Sequence, residues 1–328
     1  MTRKLRGVFF GTSPFAVPAL RSFAEHVAPA LVITQPDRAA GRGQKLQATP
    51  VKRAAHELGI PTLEPAKLRD VLPELTAANA DVYAVASYGK IVPQAVLDLP
   101  RLGALNVHPS LLPLYRGATP LQSQLRDGVT ASGVTIILMD AGMDTGDILL
   151  QQRSPIAPRE TYGELHDRFA ALGAALLGRA CGALAAGTLA RIPQRGLAPE
   201  EEVARTLTRP LAKDDLIVDW TWPAKRIVDI VRSLAPQPLA RATIGEAVVK
   251  LVTVDALAAT GEAAFETARG TALPGAILRS QVAKGALVVR CGDGAILVKR
   301  LVAPSRGEMD GASYAQRIAN DVPPVLPL

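Results

Sequence analysis

Short apolar runs alternate with amphipathic segments over the first half of the chain. Runs such as GVFFG, ALVIT, DVYAVAS and GALNVHP are apolar on both faces, and segments with helical spacing separate them. Strands that are buried on both faces and separated by helices are typical of a mostly parallel sheet covered on both sides. The pattern therefore predicts a doubly wound α/β domain, whose ligands would bind beyond the carboxyl ends of the strands.

The alternation ends after an alanine-rich helical segment at residues 160–187. A stretch rich in proline, glycine and glutamate follows, and then one amphipathic segment and several short strand candidates separated by glycine turns. CGDG between two β-rich runs indicates a hairpin, which would carry Arg290, Lys299 and Arg300. We therefore predict a first domain at 1–189, a linker at 190–204 and a smaller, OB-like β-barrel domain at 205–328.

The composition is that of a folded protein rather than a disordered one. The chain has 328 residues, 48% of them hydrophobic, which is enough to bury a core in each of two domains. Its two cysteines are far apart and give neither a disulfide framework nor a metal pattern. We find no signal-peptide core and no uninterrupted apolar span of membrane length, so we expect a cytoplasmic protein.

Positive charge is concentrated in one glycine-containing segment. The net charge is +7, and the segment from Asp37 to Arg53 holds five Lys or Arg residues against a single acid. A basic segment of this kind favours an anionic partner, although a solvated charged loop would have the same composition. The sequence therefore predicts a flexible basic loop.

The first strand ends in Gly11-Thr12-Ser13-Pro14, which we compared with the dinucleotide-binding pattern. GTSPFA lacks the second and third glycines of that pattern, so a nicotinamide cofactor has little support. Serine followed by proline is instead typical of a helix start. We expect Ser13 to cap the next helix and Pro14 to be its first residue.

Asn106 and His108 lie two residues apart in the strand candidate GALNVHP. Side chains alternate along a strand, so the amide and the imidazole share one face near its carboxyl end. Pro109 would end the strand, and residues 110–113 would form a rigid loop able to bind a flat heterocycle. The alternative is that Asn106 caps a turn and His108 is a core histidine, but the other three histidines lie in polar, helix-like segments.

A loop with three acids follows the strand candidate GVTIILMD. Asp140, Asp144 and Asp147 lie in MDAGMDTGDILL, and because they follow a strand we expect them near the carboxyl edge of the sheet. Each could equally form a turn or a cap. One histidine and these acids do not guarantee a set of converging ligands, so we propose no metal.

An asparagine, a histidine and an aspartate around one pocket contain no nucleophile. The chain has no G-x-S-x-G turn and no cysteine beside the histidine. The set suits direct transfer of an acyl group between two nitrogens. The asparagine amide would donate to the oxyanion, the histidine would move protons, and an aspartate such as Asp144 would hold the ring.

These motifs together resemble those of the 10-formyltetrahydrofolate-dependent formyltransferases. The resemblance is carried by N-x-H, SLLP, YRGATP, GVTI and MDxGMDTGDIL, and it extends over residues 5–310. It implies a Rossmann-like formyltransferase domain, 10-formyltetrahydrofolate as formyl donor, and Asn106, His108 and Asp144 as the catalytic residues. The residues that it implies for the folate site are Ser110, Leu111, Leu112, Pro113, Tyr88, Gly89 and Ile91.

Other segments resemble the branch of this family that formylates methionyl-initiator tRNA. They include FFGTSPFAVPAL, TQPDRAAGRGQKLQATPVK and DWTWPAKRIVDIVRSL. This resemblance implies that the basic loop enters the tRNA acceptor end, with Arg42 as the leading contact and Arg38 and Lys45 in support. It also implies that the second domain helps to hold the RNA, and we expect the protein to be a monomer.

The leading alternative is a formyltransferase that acts on an amino sugar nucleotide, which would have little need of the basic loop. A second alternative is a non-catalytic RNA-binding protein on the same scaffold.

The chain also departs from the family pattern. The departures are Pro109, Leu114, Thr119 and the stretch Ala235-Pro236-Gln237-Pro238.

Overall fold

In the computed structural model, residues 4–40, 45–257, 273–278 and 286–321 are described. The chain divides into two compact units, and each is built from more than one segment. The first comprises residues 1–120, 130–156 and 165–209, and the second comprises 121–129, 157–164 and 210–328. This division is based on contacts, and it differs from the predicted boundaries at 189 and 205. The predicted domain boundaries stay a prediction.

The first unit is built on a seven-stranded sheet with the order β5-β2-β1-β6-β7-β8-β9. The first five strands in this order are parallel, whereas β8 and β9 run antiparallel to their neighbours. A short antiparallel pair, β3 and β4, lies outside the sheet. The strands are β1 Arg6–Gly11, β2 Ala28–Ile33, β3 Arg38–Ala40, β4 Lys45–Gln47, β5 Thr62–Leu63, β6 Val82–Ala86, β7 Ala104–His108, β8 Ala131–Leu138 and β9 Ile148–Pro155.

Aromatic and aliphatic side chains are buried on both faces of this sheet. On one face Phe9 packs on Phe23 of the first helix, with ring centroids 5.9 Å apart. On the other, Phe10 packs between Tyr83 and Tyr88 at 5.2 and 5.7 Å. A fully buried side chain of this size contributes about 1.5–3 kcal/mol. The prediction of a doubly wound, mostly parallel sheet is confirmed.

Seven α-helices and one 3-10 helix at Leu68–Val71 connect these strands or follow them in the described part of the chain. They are α1 Ala16–His26, α2 Pro50–Glu57, α3 Leu72–Ala77, α4 Gln94–Leu97, α5 Pro120–Arg126, α6 Tyr162–Ala185 and α7 Glu200–Arg205. By length and apolarity α6 could cross a membrane, but half of its apolar stretch is buried, as in the core helix of a soluble protein.

The start of α1 corrects one expectation. Ser13 does not cap the helix, because α1 begins at Ala16 without a side-chain cap. The Ser13 hydroxyl instead donates to the hydroxyl of Ser87, at 2.7 Å. The turn after β1 therefore joins the loop that follows β6.

The direction of β8 corrects the route by which the loop of acids was expected to reach the carboxyl edge. Because β8 pairs antiparallel with β7, its carboxyl end lies beside Leu105, near the amino end of β7, and Thr135 lies beside His108. The loop at 139–147 therefore does not leave the sheet at the carboxyl edge of the parallel strands, as the order of segments had suggested. It begins and ends beside the amino half of β7, where the Leu138 N–H donates to the Asp147 carbonyl at 2.9 Å.

The second unit contains a curled antiparallel sheet, which forms half of a barrel and confirms the predicted β architecture. Its described strands have the order β10-β11-β14-β13-β12, and β15 pairs with β14. The strands are β10 Ala240–Ile244, β11 Ala247–Leu257, β12 Ile277–Leu278, β13 Leu287–Arg290, β14 Ala295–Val302 and β15 Glu308–Asp310. The helices are a 3-10 turn at Asp214–Leu216, α8 Ala224–Leu234 and α9 Gly311–Asp321.

CGDG connects β13 to β14, so the predicted hairpin is confirmed. The turn also caps a helix, because the Asp293 carboxylate accepts a hydrogen bond from the Ala224 N–H at 2.7 Å, at the start of α8. The three hairpin cations already have partners. Arg290 donates to the carbonyls of Cys291 and Gly294, Lys299 pairs with Asp255, and Arg300 pairs with Glu308.

Candidate active site

Asn106 and His108 lie on one face of β7. Val107 points to the opposite face, where it packs on Gly173 of α6 so closely that a Cβ there would lie 2.5 Å from its Cγ1. His108 is 4% exposed, and Asn106 lies beside Val85 on the neighbouring strand β6. The strand alternation read from the sequence therefore places the amide and the imidazole together.

Asp144 contacts both of these side chains. Its Oδ1 accepts a hydrogen bond from the Asn106 Nδ2 at 3.2 Å, and its Oδ2 lies 3.5 Å from the His108 Nδ1. The same Oδ2 accepts the backbone N–H of Gly117 at 2.8 Å. Asp140 and Asp147 make no such contact. The Asp140 carboxylate instead accepts from Gly142 N and Thr145 Oγ1 inside its own loop.

The hydrogen bonds of His108 fix which ring nitrogen faces the acid. Its Nε2 lies 2.9 Å from the backbone oxygen of Tyr115. A carbonyl oxygen can only accept, so Nε2 carries the hydrogen of that bond. The proton that can be gained or lost is therefore on Nδ1, which faces Asp144.

A hydrogen-bond network beneath the loop at 110–113 determines its shape. Thr135 on β8 donates to the Ser110 carbonyl at 2.6 Å and accepts from Leu112 N at 3.3 Å. Gln151 on β9 donates to the Leu112 carbonyl at 3.0 Å and to the Thr135 hydroxyl at 2.9 Å. The Ser110 hydroxyl donates to the Leu114 carbonyl at 2.7 Å. The loop is thus held through its backbone.

The side chains implied for the folate site differ in exposure. Ser110, Leu112, Pro113 and Tyr88 are buried in the protein, whereas Leu111 is half-buried and Ile91 is 89% exposed. The Tyr88 carbonyl accepts from Thr12 Oγ1 and Gln35 Nε2 at 2.9 and 2.7 Å. Gly89, with φ of +77°, then turns the chain outward to Ile91. Buried residues here can offer a ligand their backbone, and Ile91 can offer an apolar side chain.

Sequence reasoning missed several residues around the acid and the imidazole. Thr135 had a signal, since it is a polar residue within an apolar strand candidate. Tyr115, Gln151 and Gln194 had none, because each acts through a backbone group that only the fold brings near. Gln194 lies in the segment predicted to be a linker, is 4% exposed and donates to the Asp144 carbonyl at 2.8 Å.

The structure describes only some of the residues that are predicted to contact tRNA. Arg42 lies outside the described residues, and Arg38 and Lys45 are described only as members of the paired strands β3 and β4. Lys52, which the sequence counts among the basic residues of this segment, pairs with Asp37 at 2.8 Å and Glu64 at 2.6 Å. It therefore belongs to the base of the basic loop.

Within the described ranges, no three His, Cys, Asp or Glu side chains are grouped so that they could hold a metal ion. The polar groups that the site itself offers are hydrogen-bond donors, acceptors and a proton carrier. They are an amide donor, an imidazole with one exchangeable proton and a carboxylate between them, on a backbone fixed from several sides.

Comparison with known proteins assigns the chain to a family. Residues 7–181 match the family described as formyl transferase, and residues 210–319 match the formyl transferase C-terminal domain. A protein of Stutzerimonas stutzeri named methionyl-tRNA formyltransferase is 42% identical over 307 residues, which cover 93% of this chain and 92% of the relative. One of the same name from Pseudomonas fluorescens SBW25 is 43% identical over 308 residues, covering 93% and 91%.

The chain belongs to the methionyl-tRNA formyltransferase family. Membership makes it a transferase of one-carbon groups with a role in translation initiation, which confirms the resemblance seen in its motifs.

Solved structures of formyltransferases share the fold. An N-formyltransferase from Helicobacter canadensis, in complex with folinic acid and dTDP-3-aminofucose, has a TM-score of 0.64 at 16% identity, covering 90% of this chain and 98% of that one. HypX from Aquifex aeolicus, in complex with tetrahydrofolic acid, has a TM-score of 0.61 at 15% identity, covering 98% of this chain and 48% of that one. At these identities the likeness is one of fold alone.

Proposed function

We propose that the protein transfers the formyl group of 10-formyltetrahydrofolate to the α-amine of methionine carried on initiator tRNA. The observation that carries the proposal is the contact of the Asp144 carboxylate with both Asn106 and His108, within a chain of this family. The three side chains have the donor, the proton carrier and the anion that acyl transfer between two nitrogens requires.

In this reaction the α-amine attacks the formyl carbon, and a C–N bond forms as the carbonyl oxygen becomes an oxyanion. The C–N10 bond of the folate then breaks, N10 gains a proton and the attacking amine loses one, so that charge and hydrogen balance. The Asn106 amide has a second N–H besides the one given to Asp144, and we assign it to the oxyanion. A donor of this kind contributes about 3 kcal/mol to transition-state stabilisation.

His108 carries the proton through Nδ1, and Asp144 orients the ring and stabilises the imidazolium that forms. The Nε2 bond to Tyr115 keeps the ring from rotating while Nδ1 exchanges its proton. At 3.5 Å the Nδ1–Oδ2 contact is longer than an ordinary hydrogen bond. Catalytic hydrogen bonds are often long without substrate and tighten in its complex.

We assign the folate to the loops at 88–91 and 110–113. Backbone groups of the buried residues would bind the polar edge of its ring system, and Ile91 and Leu111 would pack on the apolar surface. The acceptor end of the tRNA would be bound by Arg42, with Arg38 and Lys45 in support, since phosphate contacts from Arg and Lys supply most nucleic-acid affinity. We expect a monomer that works in the cytoplasm, with the second domain holding more of the RNA.

A comparison of acceptors tests the function. Purified protein with 10-formyltetrahydrofolate is offered methionyl-initiator tRNA, methionyl-elongator tRNA or an amino sugar nucleotide, and the formylated product is measured. We expect transfer to the initiator tRNA at a rate that falls steeply with salt, because the phosphate contacts release counterions. Transfer to the sugar nucleotide alone, with little salt dependence, would overturn the proposal, and so would tRNA binding without any transfer.

A further inference from the structure

The segment at 192–208, here called the strap, packs on the loop that carries Asp144 and on the loop at 115–119. It begins with a two-way backbone pairing between Ile192 and Ile148, at 2.9 and 2.8 Å. Its other end pairs with the loop at 116–119, where the Thr208 N–H donates to the Arg116 carbonyl at 2.8 Å. Gly117 approaches the strap so closely that a Cβ would lie 2.2 Å from the Thr208 oxygen.

Gln194 is the buried centre of this contact. Its Nε2 donates to two backbone carbonyls of the acid loop, those of Asp144 at 2.8 Å and Gly146 at 2.7 Å. Its Oε1 accepts from the Arg116 guanidinium, from Nε at 3.1 Å and Nη2 at 2.7 Å. Both amide hydrogens and the amide oxygen are thus engaged, which fixes the orientation of the amide as well as its position.

The strap holds two residues whose backbone would not adopt its conformation unaided. Asp144 has φ of +56° and Tyr115 has φ of +58°, both in the left-handed region that non-glycine residues rarely occupy. Gln194 binds the carbonyl of the first, and the Thr206 hydroxyl accepts the N–H of the second at 3.3 Å. Such strained residues persist only where their surroundings hold them in place.

Asp144 and Tyr115 also fix the orientation of the His108 ring. Asp144 supplies the carboxylate that faces Nδ1, and Tyr115 supplies the carbonyl that accepts from Nε2. Both partners of the imidazole are therefore held from the same segment.

We propose that Gln194 is a positioning residue of the formyl-transfer site, which fixes the left-handed turn at Asp144 and so directs its carboxylate at Asn106, His108 and Gly117. The inference rests on the proposed function, because it assigns Gln194 a role in the reaction of that site. Gln194 itself touches no reacting atom. Its contribution is to the rate of transfer and not to the binding of either substrate.

The test is the change Gln194→Leu, which keeps the size of the side chain and removes its donors and acceptor. We expect kcat for formyl transfer to fall about 100-fold, as misplacing a catalytic group by about 1 Å can. The KM values for 10-formyltetrahydrofolate and for methionyl-initiator tRNA should stay within about twofold, since a loss confined to the transition state lowers kcat alone. The matched control is Gln94→Leu, at an exposed glutamine of α4, with wild-type kcat.

A second variant distinguishes the donor role of the Gln194 amide from its acceptor role. Gln194→Glu can still accept from Arg116 but cannot donate to the carbonyls of Asp144 and Gly146. If donation to the acid loop is what matters, this variant should lose kcat as Gln194→Leu does. Wild-type kcat in Gln194→Glu would overturn the proposal and leave Gln194 as a partner of Arg116 only.

The outcomes also distinguish a failure of this inference from a failure of the proposed function. An inactive wild-type protein would count against the proposed function and not against the strap. An active wild type with an equally active Gln194→Leu variant would overturn the inference alone, and so would a rise in KM at unchanged kcat. Should Gln194→Leu show no melting transition, Gln194→Asn is measured instead, because it keeps the amide but is one methylene too short to reach both carbonyls. The same loss of kcat is expected there, and wild-type kcat would contradict it.

Discussion

His108 presents Nδ1 to Asp144, 3.5 Å from its Oδ2, because Nε2 is held 2.9 Å from the carbonyl oxygen of Tyr115. At 3.5 Å the two side chains are not joined by a hydrogen bond of ordinary length. The pair therefore depends on the residues that fix each partner separately, Tyr115 for the ring and Gly117 and Gln194 for the acid.

The tautomer of His108 is the first prediction. Nitrogen-15 NMR of histidine-labelled protein without substrate should show the neutral ring of His108 protonated on Nε2, because that atom donates to the Tyr115 carbonyl. His108→Ala identifies the signal by its loss. A neutral ring protonated on Nδ1 alone would contradict the assigned proton path.

The second prediction compares two acids of the 139–147 loop, Asp144 and Asp147. Asp144→Asn keeps the size of the side chain but removes the anion beside His108, so kcat for formyl transfer should fall by about 100-fold or more. Asp147→Asn removes the same charge three residues away and should leave kcat within about twofold, since the Asp147 carboxylate contacts neither Asn106 nor His108. Equal losses in both variants would show that the charge of the loop matters and not the contact with His108.

The third prediction concerns the network beneath the loop at 110–113. Gln151→Leu removes the bonds to the Leu112 carbonyl and the Thr135 hydroxyl, which leaves the loop backbone less firmly held. We expect the KM for 10-formyltetrahydrofolate to rise about tenfold, roughly the 1.4 kcal/mol of one net hydrogen bond. The KM for tRNA should not change. A fall in kcat at constant folate KM would place Gln151 with the catalytic residues instead.

The fourth prediction concerns Lys52 at the base of β3. Lys52→Met breaks its bonds to Asp37 and Glu64, and Asp37 immediately precedes β3. We expect a higher KM for methionyl-initiator tRNA with an unchanged dissociation constant for folate. The matched control is Lys67→Met, which removes the same charge at an exposed position. Equal effects of both changes would mean that net charge and not the anchor is responsible.

The same change has a predictable pH dependence. The side-chain hydrogen bond from Lys52 lowers the pKa of Asp37, and those from Asp37 and Glu64 raise the pKa of Lys52. A lowered carboxyl pKa stabilises the fold fully above its unfolded pKa, and the effect is lost as the pH falls through the folded pKa. Both groups are charged at neutral pH, so the difference in unfolding free energy between wild type and Lys52→Met should be present there. It should shrink in acid, below the ordinary pKa of the carboxyl group.

Strand periodicity was sufficient to place Asn106 and His108, because alternation in a buried strand is a local property of the backbone. Ser13 shows where such local rules fail: a serine before a proline favours a cap, yet its hydroxyl donates to Ser87, 74 residues away. Asp144 lies beside His108 at the carboxyl end of β7, as expected, but the route of its loop was not predicted, because an apolar strand looks the same whether it runs parallel or antiparallel.

The strap shows a different limit of prediction from sequence. Proline, glycine and glutamate near Gln194 have the composition of a linker, and nothing in one sequence marks a glutamine whose Nε2 donates to carbonyl oxygens 50 and 48 residues away. Likewise Lys52 reads as one more cation of a basic loop, and only its distance from two carboxylates gives it another role. Contacts made by backbone groups over long separations are invisible to motif and composition alike.

The most direct test of the formyl-transfer site is a single-turnover measurement on His108→Ala. Formylation of methionyl-initiator tRNA is followed with enzyme in excess over both substrates, and the affinities for tRNA and folate are measured on the same preparation. We predict a rate about 100-fold or more below wild type, with both dissociation constants within about twofold, because His108 acts on the proton and not on binding. A His108→Ala rate within about threefold of wild type, a difference of less than about 1 kcal/mol in the barrier, would contradict the assignment of Asn106, His108 and Asp144 as the site of transfer.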